Sequence, residues 1–197
     1  ALDPSATLDW ACAEGDAVEP GTVVVRLQAD ARALLSAERA SLNFLQMLSS
    51  VATVTREYVD AIAGASPNPR GCAVLDTRKT LPGRRQAQKY AGRVGGGRNQ
   101  RLALWDGILI KENHIAAAGG IAAALRAADA LGAGVPVQIE VESLDELREA
   151  LDAGATSVLL DDFSLADMRG AVALNAGRAL PEVSGGVDLS SIRAIAA

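Results

Sequence analysis

Eight cations stand in one stretch that carries no acid. Between Thr77 and Trp105 the sequence has Arg78, Lys79, Arg84, Arg85, Lys89, Arg93, Arg98 and Arg101, with neither Asp nor Glu, although the 197-residue chain has a formal net charge of −5. An acidic chain that gathers its cations in this way is suited to a small, highly charged anion, and arginine's planar fork suits carboxylates and phosphates in particular. The plainer alternative is a solvated basic helix face, which Arg84, Arg85, Lys89 and Arg93 fit. Nucleic acid is not the expected partner. The net charge is negative, and aromatics make up only 3% of the chain, too few to interleave with the patch as stacking platforms.

A second set of polar residues closes short apolar runs. Arg78 and Lys79, Lys111, Glu140, Asp161, and Ser184 with Gly185-Gly186 each stand at the end of a candidate strand. Five such endings in succession point to a site built at the carboxyl ends of parallel strands. Along Val137-Gln138-Ile139-Glu140-Val141-Glu142 apolar and polar residues alternate, so Gln138, Glu140 and Glu142 are expected to point away from the covering helices. An inward carboxylate needs a cation, water or ligand; an edge strand with one wet face is the competing reading. Lys111 could serve as a Schiff-base nucleophile, an anion contact or an ordinary ion-paired lysine. His114, the single histidine, supports neither a zinc site nor a catalytic triad, which leaves a structural role in its loop. Gly95-Gly96-Gly97 lacks the strand and helix of a dinucleotide fingerprint and implies backbone flexibility beside Arg98 and Arg101. Ser184-Gly185-Gly186 could offer N–H groups to a phosphate.

The elements that must carry these residues follow from periodicity. Residues 8–28 read as short strands, with turn signals at Gly15-Asp16 and Pro20-Gly21. A long helical stretch over 31–63 shows Leu42, Leu45 and Leu48 on one face, widened by Phe44, Met47, Val51 and Val54. Such a surface predicts a buried connector, broken near Ser49-Ser50, and the Pro-containing loop 64–71 predicts a boundary. From residue 72 strands expected at 73–77, 107–110, 135–141, 157–160 and 180–183 alternate with helices at 84–93, 120–131, 144–153 and 165–175, and another helix near Leu189. This order predicts an α/β fold with parallel strands, either a barrel or an open sheet. The pattern stops at Ala197 without a further strand and the chain starts without Met, as expected for a piece of a longer protein.

With 49% hydrophobic residues the chain supports one sizeable core and a small appended domain. No apolar run reaches the roughly 18–20 residues of a membrane span, and Ala1-Leu2-Asp3-Pro4 does not start a signal peptide. Cys12 and Cys72 lack metal-ligand spacing and read as reduced, buried thiols of a cytoplasmic protein.

Taken together, several segments carry a family resemblance. Leu75-Asp76-Thr77-Arg78-Lys79-Thr80-Leu81-Pro82-Gly83, Lys89-Tyr90-Ala91, Gly95-Gly96-Gly97-Arg98-Asn99 and Leu109-Ile110-Lys111-Glu112-Asn113-His114 resemble, in order, quinolinate phosphoribosyltransferases. Glu140-Val141-Glu142, Leu159-Leu160-Asp161 and Glu182-Val183-Ser184-Gly185-Gly186 continue the match to the end of the chain. The resemblance implies conversion of quinolinate and phosphoribosyl pyrophosphate to nicotinate mononucleotide, pyrophosphate and carbon dioxide, with Mg²⁺, in NAD biosynthesis. It implies an open, TIM-like β/α barrel with a smaller α/β sandwich domain. Residues 1–30 would be part of that sandwich domain, 31–70 the helical connector and loop, and 71–197 the barrel, cut before its last strand. It also implies a homodimer or larger assembly in which Arg39 reaches the partner's site. By the same resemblance Arg78, Arg101 and Lys111 match positions holding the quinolinate carboxylates. Lys79, Glu140 and Asp161 match positions serving the phosphoribosyl substrate, the two acids with Mg²⁺, and Ser184, Gly185 and Gly186 match its phosphate-side loop.

Three departures qualify the match. Gln100 stands where the family usually has His, and an amide donates a hydrogen bond without carrying charge. Ala103 and Asp162 stand where Gly and Asn are common; Ala103 fits if its φ is negative. The family's amino-terminal part and its final strand with a glycine-rich loop are missing from the match. Two rival readings remain: a Schiff-base lyase acting on a phosphorylated sugar through Lys111, and an inactive anion-binding fragment or degenerate relative.

Overall fold

The computed structural model describes residues 2–197. The chain divides into two compact units, one of Ala1–Ala63 with Ala73–Gln100, the other of Gly64–Cys72 with Arg101–Ala197.

In the first unit β1 (Thr7–Trp10) pairs antiparallel with β2 (Val25–Gln28), Thr7 opposite Gln28 and Trp10 opposite Val25. Asp30 then starts α1 (Ala31–Ile62), its carboxylate accepting from the N–H groups of Arg32 and Ala33. The helix runs without a break through Ser49-Ser50, because a serine costs only about 0.5 kcal/mol in a helix and its leucine-rich neighbours outweigh that. Nor is it a buried connector. Of its residues only Ile62 is buried, while Leu35, Leu42, Phe44, Leu45 and Val54 are exposed. The expected strand over 73–77 is reduced to a single parallel bridge between Leu75 and Arg98. The chain turns away at once, the Thr77 hydroxyl accepting from the Lys79 N–H and the Arg78 carbonyl from the Thr80 N–H. Helix α2 (Arg85–Val94) follows and packs on α1.

Gly95-Gly96-Gly97 is a packing device, which corrects the expectation of flexibility. A Cβ on Gly95 would lie 2.4 Å from the Ala52 carbonyl oxygen, and one on Gly97 would lie 2.9 Å from Thr55 Cγ2. Gly96 has φ +94°, a region costly for other residues. Within this unit the backbone after α2 approaches α1 so closely that no side chain fits between them.

The second unit alternates strands and helices: β3 (Ile108–Ile110), α3 (Glu112–Ala118), α4 (Ile121–Ala130), β4 (Val137–Val141), α5 (Leu144–Asp152), β5 (Ser157–Asp161), α6 (Leu165–Asn175), β6 (Leu180–Ser184) and α7 (Ile192–Ala196). The four strands are parallel and adjacent in chain order, β3-β4-β5-β6. One strand face, Ile110, Ile139, Val141, Val158 and Leu160, joins Leu125, Leu147, Met168 and Ala171 of the helices in one core. The helices therefore cover that face, and the α/β fold with a parallel sheet is as expected. Ser143 and Ser164 cap α5 and α6 by accepting from the N–H groups of Glu146 and Asp167.

Helix α3 was not expected. It is only seven residues long, and it starts directly from the strand: the Lys111 N–H donates to His114 Nδ1 at 3.0 Å, and the helix ends at Gly119 with φ +85°. His114 thus has a structural role, as expected, but within a helix. Cys12 is half-buried and Cys72 exposed, both free, so burial does not account for Cys72. Among the described residues no helix is long and apolar enough to cross a membrane.

Candidate functional site

The sequence-derived site residues fall on both units. Arg39, Arg78, Lys79 and Gln100 belong to the first; Arg101, Lys111, Glu140, Asp161, Ser184, Gly185 and Gly186 belong to the second. The series of five strand endings is accordingly four in one sheet, plus a turn beside an isolated bridge.

In the second unit period-two alternation sends Leu109, Gln138, Glu140, Leu159, Asp161, Glu182 and Ser184 to the sheet face opposite the helices. Register aligns Glu140 with Leu159 and Leu159 with Glu182, and Asp161 with Ser184. Glu140, 7% exposed, meets a cation as its burial requires. Lys111 Nζ donates to Glu140 Oε1 at 3.0 Å and lies 2.9 Å from Oε2. That hydrogen bond is the main cause holding the Lys111 ammonium above its usual value of 10.5; partial burial opposes it, and the charges of Glu140, Glu112 and Asp161 add to it. The edge-strand reading of β4 is excluded, since β4 pairs on both sides.

Two further pairs share this face. Gln138 Nε2 donates to Glu182 Oε2 at 2.9 Å, reaching across β5, and Ser184 Oγ donates to Asp161 Oδ1 at 2.5 Å. Glu142 lies past the strand, exposed, its N–H donating to Glu146. The alternation fails there because β4 ends at Val141.

The turn after β6 is locked to the turn after β5. Asp162 has φ +55°, and its N–H donates to the Ser184 carbonyl at 3.1 Å. A Cβ on Gly185, itself at φ +82°, would lie 2.7 Å from the Asp162 nitrogen. Aspartate tolerates the left-handed region better than most residues, so the departure from Asn at 162 fits the backbone. Ala103 is not among the positive-φ residues, as its substitution for Gly requires. Arg101 lies with its stem over Gly107, where a Cβ would come within 2.7 Å of Arg101 Cδ, and its guanidinium donates to the Gly107 carbonyl at 3.4 Å. The seat that Gly107 makes for Arg101 was invisible in the sequence, where it read as the start of a strand.

In the first unit the cations divide. Lys89, which the alternative reading put on a solvated face, is 4% exposed and paired with Asp76. Arg85 turns inward too, Nη2 donating to the Arg78 carbonyl at 3.1 Å and Nε to the Thr80 hydroxyl at 3.3 Å. Arg84 lies over the Phe44 ring. Lys79 is exposed and Arg78 half-buried. The Gln100 backbone is held at both ends, its N–H donating to Asp76 Oδ1 at 2.8 Å and its carbonyl accepting from Lys89 at 3.1 Å. Arg39 is exposed on α1.

No group of three or more His, Cys, Asp or Glu side chains is gathered to hold a metal among the described residues. Glu140 and Asp161 do offer hard carboxylate oxygens of the kind Mg²⁺ takes, and Mg²⁺ commonly binds through one or two carboxylates together with substrate phosphates.

The sheet face of the second unit can hold an anion on Lys111 and polar or cationic groups on Glu140 and Asp161. Comparison with known proteins is specific. Residues 1–49 match the quinolinate phosphoribosyl transferase N-terminal domain and residues 51–197 its C-terminal domain. A probable nicotinate-nucleotide pyrophosphorylase [carboxylating] of Bacillus subtilis is 42% identical over 182 residues, covering 92% of this chain and 61% of that protein. The nicotinate-nucleotide pyrophosphorylase [carboxylating] of Mycobacterium leprae is 44% identical over 181 residues, covering 90% of this chain and 62% of that protein. The nicotinate-nucleotide pyrophosphorylase structure from Francisella tularensis superposes with a TM-score of 0.92 at 45% identity, over 99% of this chain and 68% of its own. The chain thus spans about three-fifths of the length of these two curated relatives.

Proposed function

The chain belongs to the quinolinate phosphoribosyltransferase family, and we propose that the protein carrying it transfers the phosphoribosyl group of phosphoribosyl pyrophosphate to quinolinate. The products are nicotinate mononucleotide, pyrophosphate and carbon dioxide, a step of NAD biosynthesis. In the transfer the bond from ribose C1 to the pyrophosphate oxygen breaks and the pyridine nitrogen bonds to C1. The carbon–carbon bond to one carboxylate then breaks, its electron pair stays on the ring carbon, and a proton takes the place of carbon dioxide.

The observation that carries this reading is the sheet face on which Lys111 meets Glu140 and Ser184 meets Asp161. It sets a cation for an acid substrate beside carboxylates suited to a sugar. Arg78, Arg101 and Lys111 bind the quinolinate carboxylates by charge-assisted hydrogen bonds, with Gln100 adding a neutral amide donor. Lys79 binds the phosphoribosyl substrate. Glu140 and Asp161 face the ribose, where departure of pyrophosphate leaves positive charge that a fixed carboxylate stabilises. Ser184, Gly185 and Gly186 form a turn for the phosphate side. Glu140 and Asp161 would hold Mg²⁺ together with the substrate, and the ion would supply neutralising charge toward pyrophosphate. The role of the chain's own residues in the carbon dioxide step is to orient and desolvate the positively charged pyridinium that drives it.

Sequential parallel strands with helices on one face support an open, TIM-like barrel completed by chain beyond the four strands described. The exposed position of Arg39 supports its reach into the site of a second copy, hence a homodimer or larger assembly, and we place the enzyme in the cytoplasm. The Schiff-base alternative is disfavoured, because a nucleophilic lysine must be neutral and Glu140 holds Lys111 protonated. Borohydride with a phosphorylated sugar should leave Lys111 unmodified.

The decisive test incubates the full-length protein with quinolinate, phosphoribosyl pyrophosphate and Mg²⁺ and measures nicotinate mononucleotide, with Gln100 and with Gln100→His. Formation of the product by the natural sequence is expected, with a lower quinolinate KM in Gln100→His. Quinolinate binding without turnover in both proteins would favour the degenerate anion-binding relative, and neither binding nor turnover would sink the reading.

A further inference from the structure

We propose that Asp76 is a positioning residue that sets the pyridine dicarboxylate contacts of the first unit, a role resting on the function proposed above. Three donors converge on its carboxylate. Lys89 Nζ and the Gln100 N–H reach Oδ1, and Asn99 Nδ2 reaches Oδ2. The same donors are tied to one another. Lys89 Nζ also donates to the Gln100 carbonyl at 3.1 Å, and Asn99 Nδ2 to the Lys89 carbonyl at 3.1 Å. The backbone closes the knot on its other side, Asp76 N–H donating to the Arg98 carbonyl at 3.0 Å and Arg98 N–H to the Val74 carbonyl at 2.8 Å.

The knot joins two segments that are far apart in sequence and that each carry a proposed quinolinate contact. Arg78 follows Asp76 by two residues, and Gln100 is held directly. Helix α2 supplies the rigid side. Arg85, Gln88 and Lys89 share one helix face by their i, i+3 and i+4 spacing. Arg85 grips the Arg78 carbonyl, Gln88 Oε1 accepts from the Leu81 N–H at 2.8 Å, and Lys89 grips Asp76. The charge matters as well as the shape. Lys89 is 4% exposed and Asp76 17%, so an ammonium at that depth needs a compensating anion. A carboxylate accepts all three donors at once; an amide in its place turns an N–H₂ toward some of them.

Asp76→Asn keeps the volume and removes the charge. In the full-length protein it should raise the quinolinate KM at least ~10-fold, since small misplacements of binding groups have effects of that size. The KM for phosphoribosyl pyrophosphate should change less than about 3-fold by the same argument, because of its proposed contacts Lys79 alone lies in the segment that the knot holds. A merely structural role would lower the amount of folded protein and leave the KM of the folded fraction unchanged. Asp76→Asn combined with Lys89→Met removes both charges and should be less impaired in quinolinate KM than Asp76→Asn alone. Should Asp76→Asn fail to fold, Asn99→Ala, at an exposed position, decides: about a 3-fold rise confined to the quinolinate KM is expected. An unchanged quinolinate KM in the folded variants, with a wild type that turns over quinolinate, overturns the proposal alone. A wild type that neither binds nor converts quinolinate overturns the functional reading, and this proposal falls with it.

Discussion

Replacing Gly185 by alanine separates two costs that the turn after β6 combines. The added Cβ would sit 2.7 Å from the Asp162 nitrogen, 2.9 Å from its Cα and 3.2 Å from its Cβ, at φ +82°. The two nearest are backbone atoms, which cannot swing away. The neighbouring Gly186 offers a matched control, since it too has positive φ, +61°, but nothing lies within 4 Å of its added Cβ. Both substitutions incur the left-handed penalty of about 1–2 kcal/mol, partly offset in both by about 0.4–1 kcal/mol from a stiffer unfolded chain. Gly185→Ala alone adds steric strain of about 1–3 kcal/mol. At 2–4 °C per kcal/mol for a chain of this size, Gly185→Ala should melt roughly 2–12 °C below Gly186→Ala. Thermal unfolding followed by circular dichroism, with denaturant titration as a check, measures the gap. Equal stabilities would refute the steric part of the reasoning and with it the interlock of the two turns.

Three further outcomes follow from other contacts. Lys111→Met should cost about 1–2 kcal/mol, less than for a fully buried pair because Lys111 is 45% exposed. Since the folded lysine is held above 10.5, its stabilisation is present below the unfolded value and lost as pH rises through the folded one, so the wild type and variant should converge in denaturant titrations above pH 10.5. Gly95→Ala places a Cβ 2.4 Å from the Ala52 oxygen and 2.7 Å from Thr55 Cβ. It should destabilise by about 3 kcal/mol and raise amide exchange across α2, since helix α1 must give way. Arg78→Ala should weaken quinolinate binding by at least about 1.5–3 kcal/mol, and calorimetry finding unchanged affinity would remove Arg78 from that role.

Where regular periodicity decided the outcome, the sequence was a good guide. The alternation in β4 placed Gln138 and Glu140 away from the helices, and the apolar stripes of α5 and α6 located both helices within a residue or two. Two of the failures share a cause: partners distant in sequence override local pattern. Lys89 lies at helical spacing with Arg85 and Arg93, so it reads as solvated; Asp76, thirteen residues earlier, takes it inside. Gly95-Gly96-Gly97 reads as freedom because glycine permits it, but Ala52 and Thr55 lie against it. The residues 73–77 have strand character, but among the described residues their pairing is the single bridge of Leu75 with Arg98. Helix α3 is too short to show a period at all.

The polar face of the sheet is already internally satisfied in ways that bear on binding. Glu140 has Lys111, Asp161 has Ser184, and Glu182 has Gln138. A buried carboxylate left without such a partner would be costly, so the alternation that creates the face also demands donors for it. A substrate entering there does not meet bare charges; it exchanges partners. A carboxylate competes with Glu140 for the Lys111 ammonium, and any bond Glu140 gives up has to be replaced by a ribose hydroxyl, a water or a cation. The net affinity is the difference between two sets of charge-assisted hydrogen bonds, far smaller than either set alone. Glu140→Gln therefore should not act as a simple loss. It frees Lys111 for an anion while removing the carboxylate from the sugar side, so quinolinate binding should tighten as turnover falls. Glu140→Gln with weakened quinolinate binding, measured by calorimetry, would show that the pair orients Lys111 rather than competing for it.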